Sequence, residues 1–203
     1  MTLAERTRPP PPLLLLTDER GPDPLAMAAR LPAGSGIVLR SYTLSTPERR
    51  ELAIRLGILC KARRLWLVVA ADPHLAALAR ADGLHLPEGI ARHGILAPAL
   101  LWLRRKGGFL TVAAHSQIAI RRAAILGARA ALLSPVFTTA SHPGARTIGP
   151  HRFAAWCRAA PIPVYALGGL SAKTVRRLRG AGAVGVATVG GVVTAHGSVR
   201  LRP

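Results

Sequence analysis

No aspartate or glutamate follows Glu88 in this chain of 203 residues. Any chemistry that needs carboxylates must draw them from the first 88 residues, and no later segment can supply one. Cysteine is nearly as scarce. Cys60 and Cys157 stand far apart, in no CxxC or Cys/His spacing, which argues against a disulfide framework and against a structural zinc site. Aromatic residues make up only 4%, too few for the stacking platforms of proteins that bind single-stranded nucleic acid. Long apolar runs are missing as well. The longest near either end, Leu13 to Leu16, sits behind a run of prolines; it is too short to span a membrane and lacks the layout of a cleavable signal. A soluble, cytoplasmic protein is expected.

What the chain has in excess is positive charge. Twenty-eight Lys and Arg against nine Asp and Glu leave a formal net charge of +19. Residues 1–88 hold twelve basic and all nine acidic residues, so the sixteen basic residues of 89–203 meet no opposing charge. Such a field attracts phosphate-bearing molecules. Twenty-five of the cations are arginine and only three are lysine, in a chain also rich in Ala, Gly and Pro. That points as much to compositional bias as to a polyanion partner, so small phosphate substrates are expected rather than nucleic acid. At 50% hydrophobic and 18% charged the composition is that of a globular domain. A chain of this size buries roughly 70% of its unfolded surface without staples.

A regular beat organises the chain. Residues 1–12 are polar and proline-rich and read as a flexible lead-in. Apolar runs then follow at 13–17, 36–40, 65–70, 82–86, 109–113, 131–137, 163–169 and 184–191, separated by helix-compatible segments. Thr46 reads as an N-cap with Pro47 at the first helical position, and Ser116 and Ser171 as further caps. Strands alternating with helices imply parallel pairing, and parallel strands buried on both faces read as unbroken apolar runs. Eight such units over 13–195, with a tail at 196–203, predict an α/β fold: a single-domain (β/α)8 TIM barrel. An open doubly wound sheet is the alternative, because strand count does not prove closure. A homo-oligomer is compatible with this sequence.

In a barrel the chemistry gathers at the carboxyl ends of the strands. Those ends carry Asp18, Arg40, Asp72, His85, His115, Ser134 with Thr139, Gly168-Gly169 and Gly190-Gly191. Glycine pairs after the seventh and eighth strands let backbone amides close on a phosphate, although a Gly-Gly pair also serves simply as a tight turn. Histidine titrates near neutrality and suits acid–base work, which singles out His142, His115 and His85. On a buried strand, His85 reads as structural. The two cysteines read as inert core thiols.

The segments LLLLTDE, IVLR, VVAAD, ADGLHL, SPVFTTASH, IPVYALGGL and AGAVGVATVGGV occur in that order over residues 13 to 192. In this order and spacing they resemble the thiamine phosphate synthase/TenI family. The resemblance implies a TIM barrel that joins a pyrimidine methyl diphosphate to a thiazole phosphate and releases pyrophosphate, with Mg2+ holding the leaving group. It implies that Arg40 binds diphosphate, although the family's neighbouring Gln and Lys are here Val38 and Tyr42. Asp72 matches a metal-binding aspartate, and the Asn before it is Ala71. The second metal aspartate falls at Ile90, leaving Glu88, in the family's Gln slot, as a lesser metal candidate. The strand-five Ser is Ala113, with His115 retained. The loop lysine becomes His142, with Thr139 kept. Phosphate would then lie against Gly168, Gly169, Gly190 and Gly191. A related branch of the family carries out metal-free thiazole tautomerisation through a strand-six histidine, and that slot holds Pro135. Three readings follow: a transferase, a metal-free isomerase acting through His142 or His115, and a non-catalytic phosphate-binding protein.

Overall fold

Eight short apolar segments pair in chain order, all parallel, and the last pairs with the first to close a barrel. The computed structural model describes residues 9–19, 21–95, 97–139, 144 and 146–189. The strands are β1 (Leu13–Leu16), β2 (Gly36–Leu39), β3 (Trp66–Ala70), β4 (Gly83–Leu86), β5 (Phe109–Ala114), β6 (Ala130–Leu133), β7 (Val164–Leu167) and β8 (Gly185–Val189). Between them run α1 (Pro24–Arg30), α2 (Thr46–Ala62), α3 (Pro73–Leu78), α4 (Glu88–Ala91), α5 (Ala97–Lys106), α6 (Gln117–Ile125), α7 (Pro150–Ala159) and α8 (Ala172–Arg176). The closing register sets Leu13 beside Val186 and Leu16 beside Val189. The barrel expectation therefore holds, and the open-sheet alternative falls.

The two faces of each strand explain the unbroken apolar runs. Leu14, Leu16, Val38, Val68, Phe109, Leu132 and Tyr165 fill the barrel interior. Their alternating neighbours Leu15, Ile37, Leu39, Leu67, Val69 and Leu133 point outward and pack beneath the helices. Each fully buried side chain of this kind contributes roughly 1.5–3 kcal/mol. The amino end is plugged from the proline-rich lead-in. Tyr165 Oη donates to the Pro11 carbonyl at 2.7 Å, and Val186 N–H donates to the Pro12 carbonyl at 3.0 Å. Residues 1–8 and the tail at 196–203 lie outside the described residues.

Two boundaries differ from the sequence expectation. The α2 cap is Ser45 rather than Thr46, and its N–H and Oγ both donate to Glu48 Oε2, at 2.9 and 2.5 Å. That glutamate, three residues into the helix, is the second half of a capping box. The β6 strand stops at Leu133 rather than running to Phe137. Pro135 has no N–H to give a ladder, and the amides of Val136 and Phe137 turn instead to the carbonyls of Leu167 and Gly168. Asp23, Asp72, Ser116 and Ser171 cap α1, α3, α6 and α8 with side-chain oxygens. Both cysteines are free, and burial pushes each thiol up to about 12, so neither is a nucleophile at neutral pH. Among the described residues, no helix is long and apolar enough to cross a membrane.

Candidate functional site

The carboxyl ends of the strands surround a cavity of about 640 Å³, within the range of small-molecule sites. Arg40, Glu88, His115, Thr139, Gly168 and Gly169 all line it. With Asp18, His85 and Ser134, which line it too, the structure gathers nine of the residues singled out in the sequence. Asp72 does not line the cavity. His142, Gly190 and Gly191 lie outside the described residues.

The floor toward β7 is built from carbonyls turned away. The carbonyls of Leu167 and Gly168 accept from the amides of Val136 (2.9 Å) and Phe137 (3.1 Å), and the Gly169 carbonyl accepts from Thr174 Oγ1 at 3.0 Å. In a trans peptide the C=O and the next N–H point oppositely, so the amides of Gly169 and Leu170 face the other way. Gly168, Gly169 and Leu170 all line the cavity. The φ angles of +91° and +65° at Gly168 and Gly169 are open to glycine and costly for other residues. Successive amides in such a turn form a concavity suited to an anion.

Across the mouth, Arg40 closes β2 and is fixed in place. Its Nε donates to the Thr17 carbonyl at 2.9 Å and its Nη2 to Asp18 at 2.8 Å, while its own amide donates to Thr17 Oγ1 at 2.8 Å. The guanidinium has five N–H donors, so these bonds leave capacity for a ligand oxyanion. Arg49, which sequence reasoning passed over, braces the same corner. It donates to the Arg40 carbonyl (3.2 Å), to Asp72 Oδ2 (3.3 Å) and to the Ala70 carbonyl (2.9 Å). A cation in the opening turns of a helix opposes the helix dipole. That misfit was the available signal that Arg49 has fixed partners.

Two histidines meet very different surroundings. His85 is 4% exposed within the barrel, its Nδ1 2.9 Å from Thr111 Oγ1. Burial first, and then the Arg40 charge, push its pKa down to about 3. It is neutral at working pH, as its structural reading requires. His115 is 56% exposed by side chain, and its Nδ1 lies 2.6 Å from Glu88 Oε2, which also accepts the His115 amide at 2.9 Å. Burial pushes the Glu88 carboxyl up, but the hydrogen bonds from Arg92 and His115 outweigh it and hold the group below the usual carboxylate range. Ionised Glu88 can only accept, so Nδ1 of His115 carries the donated proton and Nε2 is the remaining ring nitrogen.

Mg2+ binds through oxygens, and the side-chain oxygens of Asp72 and Glu88 are each already engaged. Asp72 Oδ1 caps α3 through the Leu75 amide at 2.9 Å, and its Oδ2 pairs with Arg49. Glu88 gives one oxygen to Arg92 and the other to His115, and Asp18 is paired with Arg40. No group of three or more metal-ligating side chains that could hold a metal occurs among the described residues. Asp72 here caps α3 and pairs with Arg49, and Glu88 orients His115, so a metal at either would compete with these bonds.

The chain is similar to known proteins in sequence and in structure. A family model described as thiamine monophosphate synthase matches residues 15–192. A thiamine-phosphate synthase of Salinispora arenicola is 34% identical over 189 residues, covering 87% of this chain and 86% of that protein. A putative thiamine-phosphate synthase 2 of Aquifex aeolicus is 31% identical over 153 residues, covering 75% and 80%. The thiamine phosphate pyrophosphorylase structure from Pyrococcus furiosus superposes with a TM-score of 0.73 at 22% identity, over 96% of this chain and 91% of that one. At that identity the superposition speaks for the fold.

Proposed function

This chain belongs to the thiamine monophosphate synthase family, and from that premise we propose that it is a transferase of thiamine biosynthesis that joins a pyrimidine methyl diphosphate to a thiazole phosphate. The observation that carries the reading is that a left-handed glycine turn at Gly168-Gly169 and a fixed guanidinium at Arg40 line one cavity. The turn at Gly168-Gly169 would hold the thiazole phosphate, with Thr139 beside it in the wall. Arg40 would hold the diphosphate.

The reaction breaks the bond between the pyrimidine methylene carbon and the diphosphate oxygen. Pyrophosphate leaves with the electron pair, and the thiazole nitrogen donates its own pair to the carbon. Charge separation is the barrier, so a preorganised cation aimed at the leaving oxygens is the largest stabilising effect available. Arg40 supplies that cation, and its bonds to Thr17 and Asp18 mean that it need not reorganise as the charge develops.

A second reading has its own support. The His115–Glu88 pair has the geometry of an oriented general base, which favours metal-free proton transfer on a thiazole phosphate carboxylate. Incubating the protein with both substrates and following thiamine phosphate separates the two. We expect product from the wild type, and a fall of about 10²–10³-fold with Arg40→Ala. If no thiamine phosphate forms at high enzyme concentration, the transferase reading is wrong. Solvent proton exchange into the thiazole ligand that vanishes in His115→Ala would then install the second reading in its place.

A further inference from the structure

Of the carboxylates that follow the strands, Asp18, Asp72 and Glu88 each already have an arginine, while Glu19 accepts from the Thr43 amide. Asp18 pairs with Arg40 at 2.8 Å, Asp72 with Arg49 at 3.3 Å and Glu88 with Arg92 at 2.9 Å. Arg40 and Arg92 reach solvent or ligand. Arg49 does not act outward: its side chain is 15% exposed, and Nε, Nη1 and Nη2 are all engaged, on the Arg40 carbonyl, Asp72 and the Ala70 carbonyl. Its guanidinium carbon lies 5.7 Å from the centre of the Tyr42 ring. The fork therefore ties together the ends of β2 and β3, at the point where Arg40 leaves the barrel.

We propose that Arg49 is a built-in cation that replaces a divalent metal at this mouth. It neutralises Asp72 and braces the end of β2, so that Arg40 holds a diphosphate without any metal ion. The inference rests on the proposed diphosphate-binding role of Arg40. The physical ground is the donor set. A magnesium ion at Asp72 Oδ2 would have to displace the Arg49 guanidinium, and that pair is a charge-assisted hydrogen bond. Arginine, unlike a metal, is always charged and always present. Arg49 touches no ligand in this account and is a positioning residue.

The test is calorimetric titration of inorganic pyrophosphate, once in a chelator and once in magnesium, with affinity referred to the free anion. The wild type is expected to bind equally well in both. Arg49→Ala is expected to weaken binding about tenfold in the chelator, as a lost charge-assisted bond would, and to regain affinity when magnesium is added, because Asp72 Oδ2 has become a bare donor. Arg49→Lys restores a cation beside Asp72 and is expected to remain indifferent to magnesium, which a purely structural role would not predict. A wild type that binds pyrophosphate only with magnesium overturns the inference while leaving the proposed function intact. Wild-type binding lost in both buffers removes the inference and the diphosphate role of Arg40 together. An Arg49→Ala variant as tight and as metal-indifferent as the wild type also overturns it.

Discussion

Replacing Gly169 by alanine is expected to abolish ligand binding and to destabilise the fold by about 2–5 kcal/mol. The backbone there has φ +65°, and a left-handed conformation costs a non-glycine residue roughly 1–2 kcal/mol. The added Cβ also has nowhere to go. It would collide with the Thr138 carbonyl oxygen and come within 2.7 Å of Phe137 Cβ. Overpacking of that kind costs typically 1–3 kcal/mol. Relief requires moving the segment that carries Thr138 and Thr139 along the cavity wall, so stability and binding should fail together. Gly180 provides the control. Its φ is +72°, yet nothing lies within 4 Å of an added Cβ, so Gly180→Ala should show the backbone cost alone. Thermal melts, at roughly 2–4 °C per kcal/mol for a domain of this size, read the difference. Equal losses for the two variants would mean that the Gly169 turn is looser than described.

The second large effect is an acid-induced loss of stability centred on His85. Its folded pKa is depressed to about 3 from 6.5. Below pH 6.5 the unfolded chain takes up a proton at this site that the folded chain refuses, so stability falls as pH falls. The slope is at most about 1.4 kcal/mol per pH unit between pH 6.5 and 3. Above pH 6.5 both states are neutral there and the term vanishes. His85→Gln keeps a polar group opposite Thr111 but cannot titrate. Denaturant melts of the two proteins should run parallel above neutrality and converge or cross as the wild type loses stability faster in acid. A constant difference across the range would show that His85 is protonated at no net cost in the fold.

The barrel was legible because burial on both strand faces leaves unbroken apolar runs, and eight of them announce eight strands. The misread boundaries have local causes. Leu133 ends β6 because Pro135 has no amide to continue the ladder while Val136 and Phe137 donate to the carbonyls of Leu167 and Gly168, and that exchange leaves no mark on the apolar run ALLSPVF. Ser45 outcompetes Thr46 because Glu48 closes a capping box with it. The cavity lining was legible too, since strand ends in a barrel converge whatever their sequence. The pairings were not. Asp72 looked like a ligand in its segment, and only folding shows Arg49 lying across it from the start of α2. Glu88 and His115 lie after successive strands, and nothing in either segment alone says that they touch. Sequence gives the inventory of charges; the three-dimensional contacts decide which of them remain available for chemistry.

A crystal structure with thiazole phosphate and pyrophosphate soaked together tests the central idea most directly. The phosphate of the thiazole should sit within hydrogen-bonding reach of the Gly169 and Leu170 amides, with pyrophosphate on the Arg40 guanidinium across the cavity. Density for either anion elsewhere on the surface, with the turn after β7 unoccupied, would contradict the account and leave only the barrel standing.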